Sequence, residues 1–457
     1  MTKQTSPLVL GTENIGKLLM QYALPAIVAM TASSLYNMID SIFIGHGVGA
    51  LAISGLALTF PLMNLAAAFG SLVGVGAATL VSVKLGQKDY TGANDVLGNV
   101  ILLNIIMGIG FSILGFLFLD NLLYFFGASD LTISYARSYM QVILLGNVIT
   151  HLYFGLNAVL RSSGAPKIAM YTTLASVIIN CILNAIFIFG WKWGIAGAAW
   201  ATVVAQVLSL AWQIFYFSKS GGVVRFKRGT LKLKKEIVEG IIAIGLSPFF
   251  MNVCSCLIII LINRALQKHG GDMAIGAYGI INRIIFLFVM IIMGLNQGMQ
   301  PIAGYNYGAR QYGRVNKVLK YTIVCAVFIA TLGFLLCELF AAPISSLFTG
   351  DDTLIAIAAQ GLRVVMMLFP IVGFQMVATN FFQSIGMAKK AIFLSLTRQM
   401  LFLIPALLIL PEHYGTMGVW GSIPVADFTS TIVTALVLYN QFVKFKRMHV
   451  AEAKDID

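Results

Sequence analysis

Two of the chain's 17 Asp and Glu residues, Asp40 and Asp427, stand deep inside long apolar runs. A charge placed at mid-bilayer costs about 2.5–3.5 kcal/mol on insertion scales, so an acid kept there points to function. The residues expected near Asp40 carry oxygen: Tyr36 and Asn37 on its own helix face, Asn180 and Asn184 four apart on another helix, and Tyr139 and Thr202 on two more. At about 1.5 Å per residue, Asp40 lies roughly 34 Å along a helix starting near Lys17, and Asn180 and Asn184 lie about 24–30 Å along theirs. Tyr139 and Thr202 lie about 12 Å in from the opposite ends, so all five reach one depth. One carboxylate among amide and hydroxyl oxygens suits a hard cation, with Asp40, Asn180, Asn184 and Thr202 as Na⁺ ligands. It equally suits a carboxyl that takes up H⁺, being buried without a permanent cationic partner. Farther along, Arg398 and Asp427 sit about 15 and 18 Å into consecutive helices from opposite sides. They are expected to pair and to close the second half of the chain structurally, the alternative being a role in substrate binding or coupling.

Side chains at these depths need spans to carry them. The 457 residues are 59% hydrophobic and 10% charged, where a soluble protein carries about 25% charge, so an ordinary soluble enzyme is excluded. Apolar runs such as 101–119, 168–189 and 321–336 approach or exceed the length that crosses about 30 Å of hydrocarbon. Their backbones must be satisfied internally, so they are helices. The fold class is therefore an all-α polytopic membrane protein. Twelve transmembrane helices are predicted near 17–44, 52–82, 94–120, 131–158, 164–190, 194–218, 236–266, 274–305, 316–341, 353–383, 388–410 and 415–443. The net charge of +13 does not indicate nucleic acid, because the cations follow alternate loops instead of forming a groove with aromatic residues. Only Lys192 and Lys268 fall in the opposite loops. By the positive-inside rule both termini are cytoplasmic, which requires an even number of spans, and the expected location is the inner membrane, as a multi-pass protein. The cysteines (181, 254, 256, 325 and 337) lie in apolar helices without metal or redox spacing.

A shift of 222 residues lays one half on the other. Gly76, Gly86, Tyr90, Asn94, Val96 and Leu97 fall on Gly298, Gly308, Tyr312, Asn316, Val318 and Leu319, and Ser162, Gly164, Lys167 and Ala169 fall on Ser384, Gly386, Lys389 and Ala391. Six spans per half make the repeat parallel, with two pseudo-symmetric six-helix bundles. The expected domains are an N-lobe at 1–218, a basic cytoplasmic linker at 219–235, and a C-lobe at 236–457 ending in a short basic tail. Rocking of one lobe against the other, with alternating access, is the mechanism such a repeat implies.

Several stretches together resemble the multidrug and toxic compound extrusion (MATE) family: Asn37-Met-Ile-Asp40 with Phe43-Ile-Gly45, Lys84-Leu-Gly86-Gln87, Arg161-Ser-Ser-Gly164, Asn180-Cys-Ile-Leu-Asn184, and Gln300-Pro-Ile-Ala-Gly-Tyr-Asn-Tyr-Gly308-Ala309. The resemblance spans essentially the whole chain and rests on the order and spacing of the strings. It implies an antiporter that exports amphipathic organic cations in exchange for Na⁺ or H⁺, with no cofactor. It also implies an amino-lobe cation site at Asp40, Tyr139, Asn180 and Thr202. At Asn184 many members carry Asp, which leaves one carboxylate here. The carboxylate pair of helices seven and ten in some relatives is also absent, with Asn263, Gln375 and Asn380 in that region. Substrate contacts are expected from Tyr36, Asn37, Asn157, Asn282, Gln297 and Gln300, since amphipathic cations are held by ring faces, apolar area and few polar groups. Small organic molecules and membrane lipid are the expected partners of a monomer, without nucleic acid. The alternatives are a lipid-linked precursor flippase, which needs a more cationic cavity, and an intramembrane enzyme, for which the histidines at 46, 151, 269, 413 and 449 are too scattered.

Overall fold

The computed structural model describes residues 9–454 apart from 127, 220, 221, 228 and 349; side chains at 35, 37–39, 42, 45, 50, 219, 272 and from 446 onward also lie outside the description. The described residues form twelve long helical segments, the bent pair taken as one and the last helix divided at Gly415. They are α1 (Ile15–Gly47), α2 (Ala50–Gly86), α3 (Tyr90–Phe125), α4 (Ile133–Ser162), α5 (Pro166–Gly190) and α6 (Gly194–Lys219). After the linker come α7 (Lys235–Gly271), α8 (Met273–Gly308), α9 (Tyr312–Leu339), α10 (Asp352–Met366 with Phe369–Ser384), α11 (388–414) and α12 (416–454). The α10 segments meet at a bend of 52°, with Pro370 in the first turn of the second, where a missing N–H costs nothing.

Helix ends recur with the sequence repeat. Positive φ occurs at Gly49 and Gly271, Lys88 and Arg310, and Gly164 and Gly386, each pair 222 apart, and at Gly194 and Gly415, 221 apart. The register read in side chains is thus also a register of turns. At Gly271 (φ 64°) and Gly415 (φ 57°) the chain kinks between two helices that otherwise run on without a loop, which only a residue without Cβ does cheaply.

The chain packs into two compact units that interleave in sequence. One contains Val9–Thr12 and residues 28–252, the other residues 13–27 and, among those described, 253–454. The unit edges therefore fall inside α1 and α7, and not in the 219–235 linker expected to divide the lobes. Each crossover follows a proline by a few residues, Pro25 in α1 and Pro248 in α7, where a lost backbone hydrogen bond loosens the helix.

Within the first unit α7 lies tightly on α2. A methyl on Gly245 would stand 1.8 Å from the Leu72 carbonyl oxygen, and one on Gly76 would stand 2.1 Å from that of Ile241. Within the second unit the start of α1 lies equally close to α8, with Gly298 and Gly294 facing the backbones of Ala23 and Ile27 at 2.4 and 2.6 Å from where a Cβ would sit. Small residues permit such approaches between membrane helices.

Candidate functional site

The first unit gathers the oxygen-bearing residues on α1, α5 and α6. Asp40 is 6% exposed, Asn180 1% and Asn184 0%. Asn184 Nδ2 donates to Asp40 Oδ1 and, at 2.8 Å, to Asn180 Oδ1. Asn180 Nδ2 donates to Thr202 Oγ1 at 3.2 Å and to the Tyr36 hydroxyl at 3.4 Å. Tyr36 and Thr202 share a hydroxyl hydrogen bond of 2.7 Å, and Tyr36 also reaches the Asp40 carboxylate. Thr202 Oγ1 can further donate back to Ala198 O at 3.1 Å. The result is a closed ring of five side chains, one of them the single acid.

Local structure of α5 sets this ring. Asn180 and Asn184 stack one turn apart on the buried face, and directly after Asn184 the helix widens into a π turn over Ala185–Gly190. Such turns shift helix phase and gather at functional sites. The widened end is held by Trp191 N–H on Ile186 O at 2.8 Å and Trp193 N–H on Phe187 O at 2.9 Å. The Phe187 and Trp191 rings stack with centroids 5.0 Å apart. Gly197 lets α6 approach Phe187, whose backbone is 3.2 Å from where a Cβ would sit, and this brings Thr202 to the ring.

Among the described ion pairs none involves Asp40. The described residues hold no group of three or more His, Cys, Asp and Glu fit for a metal, so a cation here would rest on neutral oxygens and one carboxylate. Asn184 Oδ1 is buried and accepts no hydrogen bond among the described residues. That orphaned acceptor belongs to the same amide whose Nδ2 donates to Asp40. With its amide turned over, the same oxygen would accept the hydroxyl of a protonated Asp40, and an amide's orientation is fixed only by its hydrogen-bond partners.

The other anticipated residues divide. Tyr139 on α4 is 3% exposed, within electrostatic range of Asp40, and packs with Ile44, Leu62, Ala136 and Met140. Tyr36, expected as a substrate contact, belongs to the ring itself. Asn157, expected to do the same, is buried and ties α4 to α5 through Ala169 O at 3.0 Å and Thr172 Oγ1 at 3.1 Å. Its Oδ1 accepts from Arg161, a residue expected in a loop that instead forms the last turn of α4. In the second unit Asn282 is exposed, Gln297 half-buried and Gln300 buried. The side chain of Asn37 lies outside the described residues.

The expected second-unit pair forms. Arg398 Nε donates to Asp427 Oδ1 at 2.6 Å, with Asp427 2% exposed. Arg398 also sits in a π turn, Thr397–Leu403 of α11, so both units carry a phase shift beside their polar centre. Gln375 and Ser430 meet at 2.7 Å and Gln399 and Ser255 at 3.3 Å, while Asn380 bonds back to Met376 O. The α7 and α10 residues thus serve helix contacts and supply no carboxylate.

Two features escaped the sequence: the π turns after Asn184 and at Arg398, and the hydrogen bonds of Asn94 and Asn99 on α3 to the backbone of the linker.

Comparison with known proteins follows the same frame. A MatE family profile matches residues 25–186 and 243–408. The chain is 30% identical over 431 residues, 93% of each protein, to "Multidrug export protein MepA" of Staphylococcus aureus. It is 29% identical to the protein of that name from Staphylococcus haemolyticus, over 93% of this chain and 94% of that one. Among solved structures it is similar to the MATE multidrug transporter DinF-BH, at 35% identity and TM-score 0.88, covering 94% of this chain and 96% of that one. It shares the fold of an outward-facing MATE family transporter of the MOP superfamily at TM-score 0.91 and 24% identity, covering 97% and 100%. The relatives are named for export, not for enzymatic reactions. With two matched segments that cover most of both six-helix repeats, the chain belongs to the MATE family of multidrug and toxic compound extrusion transporters.

Proposed function

We propose that this protein is a cation-coupled antiporter that exports amphipathic, often cationic, small organic compounds by alternating access, with both termini on the cytoplasmic side of the inner membrane. The observation that carries the coupling is Asp40, a buried carboxylate hydrogen-bonded to neutral side chains and in no ion pair among the described residues. An unpaired acid in a dry site is held at a cost that a small cation or a proton removes on binding. Na⁺ and H⁺ use the same ring. Na⁺ would take oxygens from Asp40, Asn180, Asn184 and Thr202, and H⁺ would take Asp40 alone with the Asn184 amide turned to accept it. The single carboxylate sets a stoichiometry of one monovalent ion per cycle at this site.

The multidrug character follows the names of its relatives, multidrug export proteins and a multidrug transporter. Full-length protein in liposomes, supplied with a fluorescent lipophilic cation and energised separately by a proton gradient and a sodium gradient, tests the proposal. Uptake driven by one gradient, and lost in Asp40→Asn at equal protein level, is expected. Gradient-driven transport at the unaltered rate in that variant would remove Asp40 from the mechanism.

A further inference from the structure

In the first unit the start of α3 docks the interlobe linker through four positions. Asn94 Oδ1 accepts from Arg225 N–H at 2.7 Å and its Nδ2 donates to Val223 O at 3.4 Å. Asn99 Oδ1 accepts from Lys234 N–H at 2.9 Å and its Nδ2 donates to Lys232 O at 3.1 Å. Asp95 takes the Lys234 ammonium in an ion pair. Gly98 leaves room for the strand itself, since a Cβ there would stand 2.0 Å from Thr230 O. The dock is an acid, two amides and an absent side chain, which suits a cationic peptide.

Moved by 222 residues, those positions are Asn316, Lys317, Lys320 and Tyr321 at the start of α9. The first amide is kept. The acid has become a cation, and the glycine has become a second cation with a long stem. A basic strap is therefore excluded there by charge and by volume. In place of the dock the second unit has a cavity of about 430 Å³, walled by Asn316, Lys317, Lys320, Ile323, Val324 and Phe442. Asn316 Oδ1 is buried without a hydrogen-bond partner among the described residues. Neither lysine belongs to a described ion pair; Lys320 is exposed, and Lys317 only overhangs the Tyr321 ring at 5.7 Å. Val324, one to two turns along from the lysines, is 59% exposed.

We propose that this groove is a binding site for an anionic glycerophospholipid, the second repeat having exchanged a peptide dock for a lipid dock. The lipid phosphate sits between the Lys317 and Lys320 ammonium groups. A headgroup hydroxyl donates to Asn316 Oδ1. One acyl chain lies along Ile323, Val324 and Phe442, the apolar end of a stripe at helical spacing. Basic residues at the edge of a span hold anionic headgroups in this way, and their apolar stems line the chain's path.

Native mass spectrometry of the full chain in detergent, titrated with phosphatidylglycerol or with phosphatidylcholine of equal chains, tests the site. Each lysine near an anionic headgroup contributes about fivefold in affinity. Lys317→Gln with Lys320→Gln should therefore cut phosphatidylglycerol affinity about thirtyfold at an unchanged melting temperature, and leave phosphatidylcholine retention as it was. Phe442→Ala should weaken both lipids, and glycerol phosphate should compete with neither. Equal retention of phosphatidylglycerol by the double-lysine variant would overturn the proposal, as would competition by glycerol phosphate. So would a rise in phosphatidylglycerol occupancy on neutralising Glu452, Asp455 and Asp457, since the groove would then belong to the acidic end of the chain's own tail.

Discussion

Asp427→Asn separates structural closure of the second unit from coupling. The change keeps the side chain's shape and an acceptor for Arg398 Nε, and removes the charge that faces it at 2.6 Å. Removing one partner of a buried pair costs about 3–5 kcal/mol, mostly because the other charge is left uncompensated. Here the acid is sealed while 31% of the Arg398 side chain remains accessible, so the orphaned guanidinium is partly relieved. The expected loss is therefore smaller, about 2–3 kcal/mol, or roughly 30- to 150-fold in the folded-to-unfolded ratio. Size-exclusion profiles of the solubilised protein after graded heating should show that loss, while the ion dependence of organic-cation transport by the surviving protein stays as before. Arg398→Gln combined with Asp427→Asn should recover part of the stability, because no lone charge remains; the shortfall from additivity measures the pair. Normal thermal resistance in Asp427→Asn together with an altered ion dependence would refute the structural role.

Further expectations concern packing, the linker and the helix cap. Gly298→Val sets a side chain against the Ala23 backbone, 2.4 Å from the ideal Cβ position, and should sharply lower folded yield, whereas the same change at Gly279, which has nothing within 4 Å, should be tolerated. Gly98→Leu should release the linker from α3, read as proteolysis within 222–234 at protease levels that leave the unaltered chain intact. Asp89→Ala removes the cap that accepts from Gly92 N–H at 2.8 Å and should cost about 1 kcal/mol, seen as faster hydrogen exchange in the first turn of α3. The Lys84 ammonium, with the Gly92 N–H behind it, holds the Asp89 carboxyl below its ordinary value. A lowered value in the folded state means that the contribution is fully present above the ordinary carboxylate value near pH 4 and fades as pH falls through the folded one. The difference between Asp89→Ala and the unaltered chain should shrink over that acidic range and stay constant from about pH 5 to 8.

Spans, repeat and the identity of the central acid were legible in the residues because each is a local or periodic property. Hydropathy over about 20 residues decides whether a helix is stable in hydrocarbon whatever its neighbours are. The 222-residue shift is written in glycines and turns that each work within a few residues, which is why Lys88 and Arg310 share a positive φ with no contact between them required. Asp40 stood out by cost alone. Helix depth at a fixed rise per residue also brought Asn180, Asn184 and Thr202 level with it, and it put Arg398 opposite Asp427.

Tertiary structure decided what depends on helix phase and on which surfaces meet. Tyr36 joins the Asp40 ring, and Asn157 turns to Ala169 and Thr172, because rotation about a helix axis is fixed by packing, while the apolar spans are hydrophobic nearly all round and carry little record of it. The π turns after Asn184 and at Arg398 shift that phase again without a sequence mark. The passage of α1 and α7 from one compact unit to the other was equally hidden, since a glycine facing a backbone and a glycine facing lipid are spelled alike. The sequence alone determined a twelve-span repeat with one acid deep in the apolar spans of its amino half; only close approach of the helices decided which oxygens surround that acid.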